Sequence, residues 1–400
     1  MSEKTNDEKY KIIVVGGGFG GIKAALELSR NKEFEVTLIS DKEDFRYNPT
    51  LYHTATGGLF RQSSIPLGDI LEGGKINFIH SSLTKLDRVT RSIELANSQI
   101  IPYDKLVLSL GVITNYFGIE GLAKFSYGIK STEEVKRFKA HLHELLQDEG
   151  KPDINYIIVG GGPSGVELAG VLPAYIRHIM KRHGIRDRRL NIKLIEAAPR
   201  ILPNSAEKVS HSVCRRLKKL GVAVMVNKKV QAMDEDSLMV SSKDIPSHTV
   251  VWTAGTSNSP FFKENDFNLS ERGKVAVDEH LMAEESIYVI GDNASTPYSG
   301  LAQTAVYDGH YVAHDIEAKY HGNEGSTYHP KYPAAVVPVG YGWAAFEYKK
   351  IRLTGWLGWF IREAADWIGY HDLQPWWKAS QQWTTEFGSE EDCKDCSNTK

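Results

Sequence analysis

The segment Ile12-Ile-Val-Val-Gly-Gly-Gly-Phe-Gly-Gly21 decides the fold of this chain, and Ile157-Ile-Val-Gly-Gly-Gly-Pro-Ser-Gly165 repeats its design. In both segments, β-branched residues that favour a strand lead into the pattern Gly-x-Gly-x-x-Gly. One glycine allows the tight turn, one lets the backbone approach a pyrophosphate, and one packs the following helix against the strand. The N-terminus of that helix then points at the anion. The pattern consists of Gly16, Gly18 and Gly21 in the first turn, and of Gly160, Gly162 and Gly165 in the second.

Two such turns, each between a strand and a helix, predict that one polypeptide binds two dinucleotides. Two dinucleotides are most useful together when electrons pass between them, and a flavin beside a nicotinamide is the common pairing. The sequence therefore predicts an α/β protein with two Rossmann-like domains, one for FAD and one for NADH. The working hypothesis is a flavin-dependent reductase whose redox chemistry requires no metal.

The composition excludes several other classes of protein. The 48 Lys and Arg residues nearly balance the 50 Asp and Glu residues, so no strong field exists to attract nucleic acid. Three cysteines cannot build a disulfide framework, and the polar segment Met1–Tyr10 lacks the apolar core of a signal peptide, which predicts a cytoplasmic product. No run approaches about 18 consecutive apolar residues, so any membrane attachment is expected to be peripheral.

The first unit continues through a strand, Glu35–Ser40, that ends next to Asp41. An acidic residue at the end of this second strand commonly binds the adenosine ribose hydroxyls. Asp41 is the acidic candidate, although it lies one position further along, and Ser40 is the alternative hydrogen-bonding partner. The buried strand Tyr103–Gly111 ends at a glycine and is expected to bring Gly111 close to a cofactor phosphate or ring.

The second unit contains a strand that ends at Glu196, where the ribose-binding carboxylate belongs. A carboxylate there accepts hydrogen bonds from a free 2′-hydroxyl and repels a 2′-phosphate, so the site should prefer NADH to NADPH. The distance along the chain from the glycine turn exceeds the usual spacing of about 20 residues. A long helix that includes the basic stretch Tyr175–Arg189 explains the surplus. The strand Thr249–Ala254 then ends at Gly255, another glycine expected beside a cofactor.

A further strand, Ser286–Ile290, delivers Gly291 and Asp292 at its carboxyl end, where open α/β sheets bind their ligands. Asp292 suits a hydroxyl of the flavin ribitol, and a helix N-cap is the alternative role for it. The aromatic and polar segment Asp44–His53 is expected either against the flavin ring or as an ordinary surface loop.

The composition changes beyond about residue 335, since seven of the eight tryptophans lie between Trp343 and Trp383. Aromatic residues recur there at helical spacing beside basic residues, a combination that suits the headgroup zone of a bilayer. The alternative is a helix buried on the protein or in a homodimer contact. The pattern comprises Trp356, Trp359, Phe360, Trp367 and Ile368, with Lys349, Lys350, Arg352 and Arg362 as the basic members.

The order of these segments predicts the domain organisation. An FAD-binding domain in two parts, residues 1–125 and 266–335, encloses an NADH-binding domain of residues 126–265. Residues 336–387 are expected to form the region for membrane association or dimer contact. The polar residues 388–400 are expected to be a disordered tail.

With these residues, the chain resembles the type II NADH:quinone oxidoreductases, which are single-subunit, non-proton-pumping flavoproteins of respiratory membranes. The resemblance extends from Lys11 to about Tyr370. Several of the shared segments occur in all two-dinucleotide reductases, whereas Ala302-Gln303-x-Ala305 is more specific, because in that family it lies by the quinone pocket at the flavin. The resemblance rests on Val159–Glu167, Ile195–Leu202, Val251–Gly255, Ile290–Asp292 and Leu301–Ala305.

The resemblance implies that FAD is bound by the first glycine turn with Asp292, and NADH by the second turn with Glu196. Glu167 matches a family glutamate near the nicotinamide and the flavin, although a carboxylate in the first turn of a helix is also favoured by the helix dipole. Gln303 would donate a hydrogen bond to a quinone carbonyl, with Ala302 beside the flavin. The implied acceptor is menaquinone or ubiquinone, for a homodimer held peripherally on the cytoplasmic face of the cell membrane.

Two other hypotheses stay open. Sulfide:quinone oxidoreductases resemble this fold but need two cysteines near the flavin, and only Cys214, which looks like a small core residue, lies in the body of the chain. Cys393 and Cys396 could form a redox pair only if the tail folds back. The other hypothesis is a flavoprotein that uses NADH binding as a switch, with little turnover.

Overall fold

Two largely parallel sheets form the frame of the molecule. The computed structural model describes residues 9–147, 155–186 and 188–384, so the tail predicted for residues 388–400, with Cys393 and Cys396, lies outside the described residues. In each sheet, a glycine turn follows the strand that comes first in the chain. The predicted α/β class with two Rossmann-like units is confirmed; the domain boundaries stay predictions.

The first sheet draws its strands from two distant parts of the chain. In spatial order they are β19 (Met282–Glu284), β20 (Ile287–Val289), β9 (Lys105–Leu108), β1 (Tyr10–Val15), β2 (Phe34–Ser40) and β5 (Ile76–His80). All neighbours are parallel except β19, which runs antiparallel at the edge. The central strands are nearly continuous apolar runs because both faces of a parallel sheet are covered.

The second sheet has four parallel strands, in the order β13 (Val222–Met225), β12 (Asn191–Ile195), β11 (Asn155–Val159) and β17 (Thr249–Trp252). Its register repeats that of the first sheet. Val159 of β11 pairs with Ile195 of β12, as Val15 of β1 pairs with Ile39 of β2. The residues that follow these pairs are therefore equivalent in the two sheets.

A two-stranded antiparallel ribbon connects the two sheets. It pairs β10 (Val112–Thr114) with β18 (Thr256–Asn258). β10 follows β9 through Gly111, and β18 follows β17 through Gly255. The chain thus passes from each of these strands through a glycine into one shared ribbon, which links the carboxyl ends of β9 and β17.

Each glycine turn starts a helix, α1 (Phe19–Leu28) in the first sheet and α6 (Pro163–Arg182) in the second. The helix predicted to continue to Arg189 ends at Arg182, so that part of the prediction is too long. Another helix, α9 (Ala302–Tyr320), packs closely along α1. A Cβ added to Gly309 of α9 would lie 2.3 Å from the carbonyl oxygen of Gly20, so only glycine allows this approach.

The C-terminal region consists of a small antiparallel sheet and two helices. The strands are β21 (Ala335–Pro338), β22 (Ala344–Tyr348) and β23 (Ile351–Gly355), and the helices are α10 (Trp356–His371) and α11 (Trp376–Thr384). One face of α10 exposes Trp356 and Phe360, at 65% and 64%. Arg362, expected among the headgroup-facing residues, is only 5% exposed and pairs with Asp366 on the buried face. That part of the prediction is wrong because charge alone does not reveal which face of a helix is covered.

The other elements connect these units. The helices are α2 (Leu51–Thr54), α3 (Leu67–Leu71), α4 (Leu122–Phe125), α5 (Thr132–Gln147), α7 (Glu207–Lys219) and α8 (Pro260–Glu264), with 3-10 turns at Asn48–Thr50, Phe60–Gln62 and Gly291–Asn293. The strands are β3 (Asp44–Arg46), β4 (Ser64–Pro66), β6 (Leu83–Asp87), β7 (Ser92–Leu95), β8 (Ile100–Pro102), β14 (Val230–Met233), β15 (Ser237–Val240) and β16 (Lys243–Pro246). Within the described ranges, no helix is both long and apolar enough to cross a bilayer.

Candidate active site

The first glycine turn has the shape that a pyrophosphate requires. Gly16 has φ +117°, and a Cβ there would lie 2.1 Å from the carbonyl oxygen of Ser109. A Cβ on Gly21 would lie 2.0 Å from the carbonyl oxygen of Gly16. Among the described residues, no heavy atom lies within 4 Å of a Cβ added to Gly18, and α1 begins there without a side-chain cap. The first N–H groups of α1 therefore face a space in which dinucleotide phosphates fit.

The second glycine turn repeats this geometry. A Cβ on Gly165 would lie 1.9 Å from the carbonyl oxygen of Gly160, which itself has φ +115°. A Cβ on Gly162 would meet nothing within 4 Å in the described chain, and α6 also begins without a side-chain cap. The backbone thus fits a second dinucleotide as it fits the first.

The strand ends beside the two turns carry different residues. Because the registers match, Ser40, the last residue of β2, is equivalent to Glu196, which directly follows β12. Glu196 accepts hydrogen bonds from the N–H groups of Gly161, at 2.6 Å, and Ala198, at 2.7 Å. The Ser40 hydroxyl is buried and accepts one from Lys42 N–H at 3.1 Å. Asp41 lies one position beyond, with an exposed side chain, so the acidic candidate is displaced from the position that Glu196 occupies.

Gly111 and Gly255 lie at the start of the ribbon and are held there by polar contacts. The Gly111 N–H donates to Asn293 Oδ1 at 2.9 Å, and Asn293 Nδ2 donates to the Gly111 carbonyl at 2.6 Å. Asn293 also donates to Asn258 Oδ1 at 2.6 Å. Lys130 Nζ donates to the Gly255 carbonyl at 3.2 Å. Sequence reasoning missed Asn293, although its position directly after Asp292 places it at the same strand end.

Gly291 is positioned by a buried carboxylate that sequence reasoning also missed. Its N–H donates to Asp308 Oδ2 at 2.9 Å, and the Tyr328 hydroxyl donates to Asp308 Oδ1 at 2.6 Å. Burial raises the pKa of Asp308 to about 6, against the opposing effect of these hydrogen bonds. The signal available in the sequence was that Asp308 is a polar residue at a position of a predicted helix that faces the core.

Asp292 follows Gly291 at the carboxyl end of β20, as predicted for a ligand of a cofactor hydroxyl. It lies in the 3-10 turn Gly291–Asn293 and does not cap an α-helix, because α9 begins only at Ala302. Burial raises the pKa of its carboxyl, and the ammonium group of Lys274 opposes the shift. The backbone of Gly300 hydrogen-bonds to this carboxylate, but the helix N-cap that was its alternative role is excluded.

Glu167 lies near the start of α6, directly after the second glycine turn. Part of its surface is accessible, but protein surrounds the carboxyl closely enough that burial raises its pKa to about 7. Arg362 lowers this pKa and Asp366 raises it, so both residues of α10 lie near Glu167. A carboxyl with a pKa near 7 can exchange a proton at physiological pH, which is the property expected of a group beside a redox site.

The helix α10 packs against the segment Asp44–His53 through buried polar contacts. The Tyr47 hydroxyl donates to Asp366 Oδ1 at 3.1 Å, and the Tyr47 ring stacks on that of Tyr370 with 4.1 Å between centroids. Arg362 Nη2 donates to the carbonyl of Pro49 at 2.9 Å. This segment is therefore a packed element and not the ordinary surface loop that was one of its two interpretations.

Gln303 and Ala302 form the start of α9. Gln303 is exposed, and its Oε1 accepts a hydrogen bond from Ala334 N–H at 3.0 Å, which leaves the amide nitrogen as the donor end. The neighbouring Thr304 Oγ1 is buried and has no hydrogen-bond partner within the described residues. A buried polar atom without a partner is costly, so this hydroxyl at the predicted quinone element suits contact with a bound group.

The structure has one glycine turn on each of two sheets, and the ribbon of β10 and β18 joins these sheets. The fit of both turns to a pyrophosphate, with carboxylates at Asp292 and Glu196, defines a two-dinucleotide oxidoreductase. The chain belongs to the pyridine nucleotide-disulphide oxidoreductase family, whose sequence pattern matches residues 10–309.

Curated relatives confirm the resemblance to type II NADH:quinone oxidoreductases. The enzyme of that name from Staphylococcus saprophyticus is 27% identical over 334 residues, covering 78% of this chain and 82% of the relative. The one from Staphylococcus aureus is 26% identical over 339 residues, covering 79% and 84%.

Solved structures share the fold. NDH2 from Plasmodium falciparum in complex with NADH has a TM-score of 0.85 at 18% identity, over 95% of this chain and 98% of that one. The sulfide:quinone oxidoreductase from Aquifex aeolicus has a TM-score of 0.78 at 20% identity, over 93% and 92%. Within the described ranges the chain has one cysteine, Cys214, which lies half-buried on α7.

Proposed function

We propose that this chain is an FAD-dependent NADH:quinone oxidoreductase that does not pump protons. The observation that carries the proposal is the pair of uncapped helix starts behind glycine turns, held together by the ribbon of β10 and β18. The relatives named NADH:quinone oxidoreductase and the neighbour solved with NADH support the choice of nucleotide and acceptor. Bound FAD supplies the two-electron chemistry between NADH and the quinone.

The residues of the chain bind, orient and exchange protons around that cofactor. The first glycine turn and Asp292 bind FAD, and Ser40 hydrogen-bonds to its ribose, with Asp41 as the exposed alternative; the equivalence of Ser40 to Glu196 in the strand register supports Ser40. The second turn binds NADH, whose free 2′-hydroxyl is recognised by Glu196. Gly111, Gly255 and Gly291 shape the space for the two rings, with Ala302 beside the flavin.

The decisive experiment follows the visible spectrum of the purified protein. We expect a flavin spectrum that bleaches when NADH is added without air and recovers when a menaquinone or ubiquinone analogue is added. A colourless protein that does not take up FAD would contradict the proposal. A flavin that NADH bleaches but quinone does not restore would instead assign the chain to the NADH-switched class.

Gln303 is proposed to bind the quinone. We expect Gln303→Ala to lower quinone turnover about fivefold, which corresponds to the loss of one neutral hydrogen bond of about 1 kcal/mol. Flavin content and single-turnover bleaching by NADH should be unchanged, because the exposed Gln303 side chain hydrogen-bonds to Ala334 N–H and belongs to neither glycine turn. Steady-state kinetics with a soluble quinone measure the effect, and unchanged turnover would remove Gln303 from the mechanism.

We also propose that the exposed aromatic face of α10 and α11 binds the membrane surface, on the cytoplasmic side. The aromatic residues of this face suit the headgroup zone of a bilayer, where an indole ring contacts both water and hydrocarbon. Lys349, Lys350 and Arg352 are exposed in the adjoining hairpin and can attract anionic lipids. The face consists of Trp356, Phe360, Ile368, Trp376 and Trp377, each more than half exposed.

The double variant Trp356→Glu/Phe360→Glu should lose most of its flotation with vesicles that contain anionic and zwitterionic phospholipids. The matched control is Val89→Glu/Ile100→Glu, which places the same charges on other apolar residues that are 94% and 68% exposed. Equal flotation of both variants would contradict the membrane proposal. If instead the first variant turns a dimer into a monomer, the same face is the predicted homodimer contact.

A further inference from the structure

Three side chains with metal-binding atoms meet between α1 and α9, at a place that the redox site does not use. Glu27 lies near the end of α1, and His310 and His314 lie one helical turn apart on α9. Their nitrogen and carboxylate oxygen atoms all lie within 4.8 Å of one another. Residues four positions apart share one face of a helix, so both imidazoles point toward the same carboxylate.

The distances within the cluster suit one small cation. Glu27 Oε2 lies 2.6 Å from His310 Nδ1 and 3.5 Å from His314 Nε2. For a tetrahedral ion with bonds of about 2.0–2.2 Å, neighbouring ligand atoms lie a little over 3 Å apart. The cluster therefore needs only small side-chain rotations to surround an ion, and both histidines have room to make them because their side chains are 45% and 61% exposed.

The surroundings favour binding through one carboxylate oxygen. Lys23 Nζ lies 3.0 Å from Glu27 Oε1 and so orients the carboxylate, leaving Oε2 for the imidazoles. Such outer partners commonly orient metal-binding groups. A cavity of about 130 Å³ borders Glu27 and His314 and is also lined by Asn31 and Glu317, which leaves space for a water ligand.

We propose that Glu27, His310 and His314 bind one divalent transition metal ion of the Zn²⁺ type, with water as the fourth ligand. Two imidazoles and one carboxylate are a recognised ligand set for Zn²⁺. Mg²⁺ and Ca²⁺ prefer oxygen ligands alone, so they should not compete. The proposal does not depend on the function proposed above.

The location indicates a stabilising role. α1 begins at the first glycine turn and α9 begins at Ala302, so the ion would bridge two helices whose N-termini both face the proposed flavin site. The helices already approach closely where Gly309 meets Gly20. An ion bound only by the folded arrangement raises the unfolding temperature, because it stabilises the folded state by an amount that grows with the logarithm of its concentration over its dissociation constant.

The test uses tag-free protein with its flavin, in a Cys393→Ser/Cys396→Ser background so that the tail thiols cannot bind zinc. We expect calorimetric titration with ZnCl₂ to show one ion per chain and thermal unfolding to move to higher temperature, whereas MgCl₂ has no effect. His310→Ala and His314→Ala should each weaken zinc binding by at least about 10–100-fold, the range for losing even an outer partner. The matched control is His321→Ala, an exposed histidine just beyond α9.

Three results would overturn the inference. They are no stoichiometric zinc binding, equal binding by His314→Ala and His321→Ala, and binding without a change in unfolding temperature. His314 is largely exposed, so its substitution should not unfold the protein, and unchanged circular dichroism checks this. NADH oxidation by the variants without zinc should match the parent protein, which separates this test from that of the proposed function.

Discussion

Replacing Gly21 by alanine is expected to abolish FAD binding and, with it, all NADH oxidation. The new Cβ would lie 2.0 Å from the carbonyl oxygen of Gly16, so α1 must move away from the strand that precedes it. That movement withdraws the helix N-terminus from the pyrophosphate. The ratio of flavin to protein after purification measures the effect, and turnover should fall with flavin content.

The equivalent substitution in the second glycine turn, Gly165→Ala, is expected to affect NADH and not FAD. A Cβ on Gly165 would lie 1.9 Å from the carbonyl oxygen of Gly160, so Gly165→Ala should keep its flavin but lose bleaching by NADH. Gly68→Ala is the control, since Gly68 is exposed in α3 and an added Cβ there meets no described atom within 4 Å. Loss of flavin from Gly165→Ala, or normal flavin in Gly21→Ala, would contradict the assignment of the two turns.

Substitution of Glu167 by glutamine should reduce quinone turnover by about 10²–10⁴-fold, the usual contribution of a positioned acid or base. Because burial raises the pKa of Glu167 to about 7, its proton is available below that pH and is lost above it. Turnover of the parent protein with quinone should therefore decline as pH rises through about 7. Steady-state rates across this range provide the measurement.

The glutamine variant should lack this inflection, whereas Glu167→Asp should keep it at a reduced rate. An unchanged pH profile in Glu167→Gln would exclude Glu167 as the proton-exchanging group.

The raised pKa of Glu167 also predicts the direction of a stability effect. The folded protein binds this proton more tightly than the unfolded chain, in which the pKa of the carboxyl is 4.5. The contribution of the proton to stability is therefore complete below pH 4.5, and it is lost as pH rises through about 7.

The two glycine turns and their strands could be predicted because their requirements are local. A left-handed φ at Gly16, and the contact of Gly21 with the turn before it, depend on residues only a few positions apart. The strands predicted before Gly111, Gly255 and Asp292 were also found, because buried apolar runs are distinctive, but each of them ends three residues before the named residue. The pairing of β10 with β18 could not be foreseen, because it joins residues far apart in the chain.

The residues that the sequence-based predictions misplaced or missed have polar side chains, which suit either an exposed or a buried, hydrogen-bonded position. Arg362 carries a charge that suited a lipid surface, yet the fold pairs it with Asp366 in the interior. Asn293 and Asp308 were missed because their sequence signals, a place after Asp292 and a polar residue on the buried face of α9, do not show that one holds Gly111 and the other holds Gly291. Their roles depend on which neighbours the fold brings within hydrogen-bond distance.

The sequence by itself determined the α/β class and the two glycine turns for dinucleotides, because both follow from backbone geometry over a short segment. The preference of Glu196 for a free ribose hydroxyl stays a prediction, which rests on its charge. Only the tertiary structure decided that Ser40 is equivalent to Glu196, that α10 lies near Glu167, and that Glu27 meets two histidines of α9. These facts depend on strand register and helix packing, which are set by contacts between distant residues and are not encoded in any one motif.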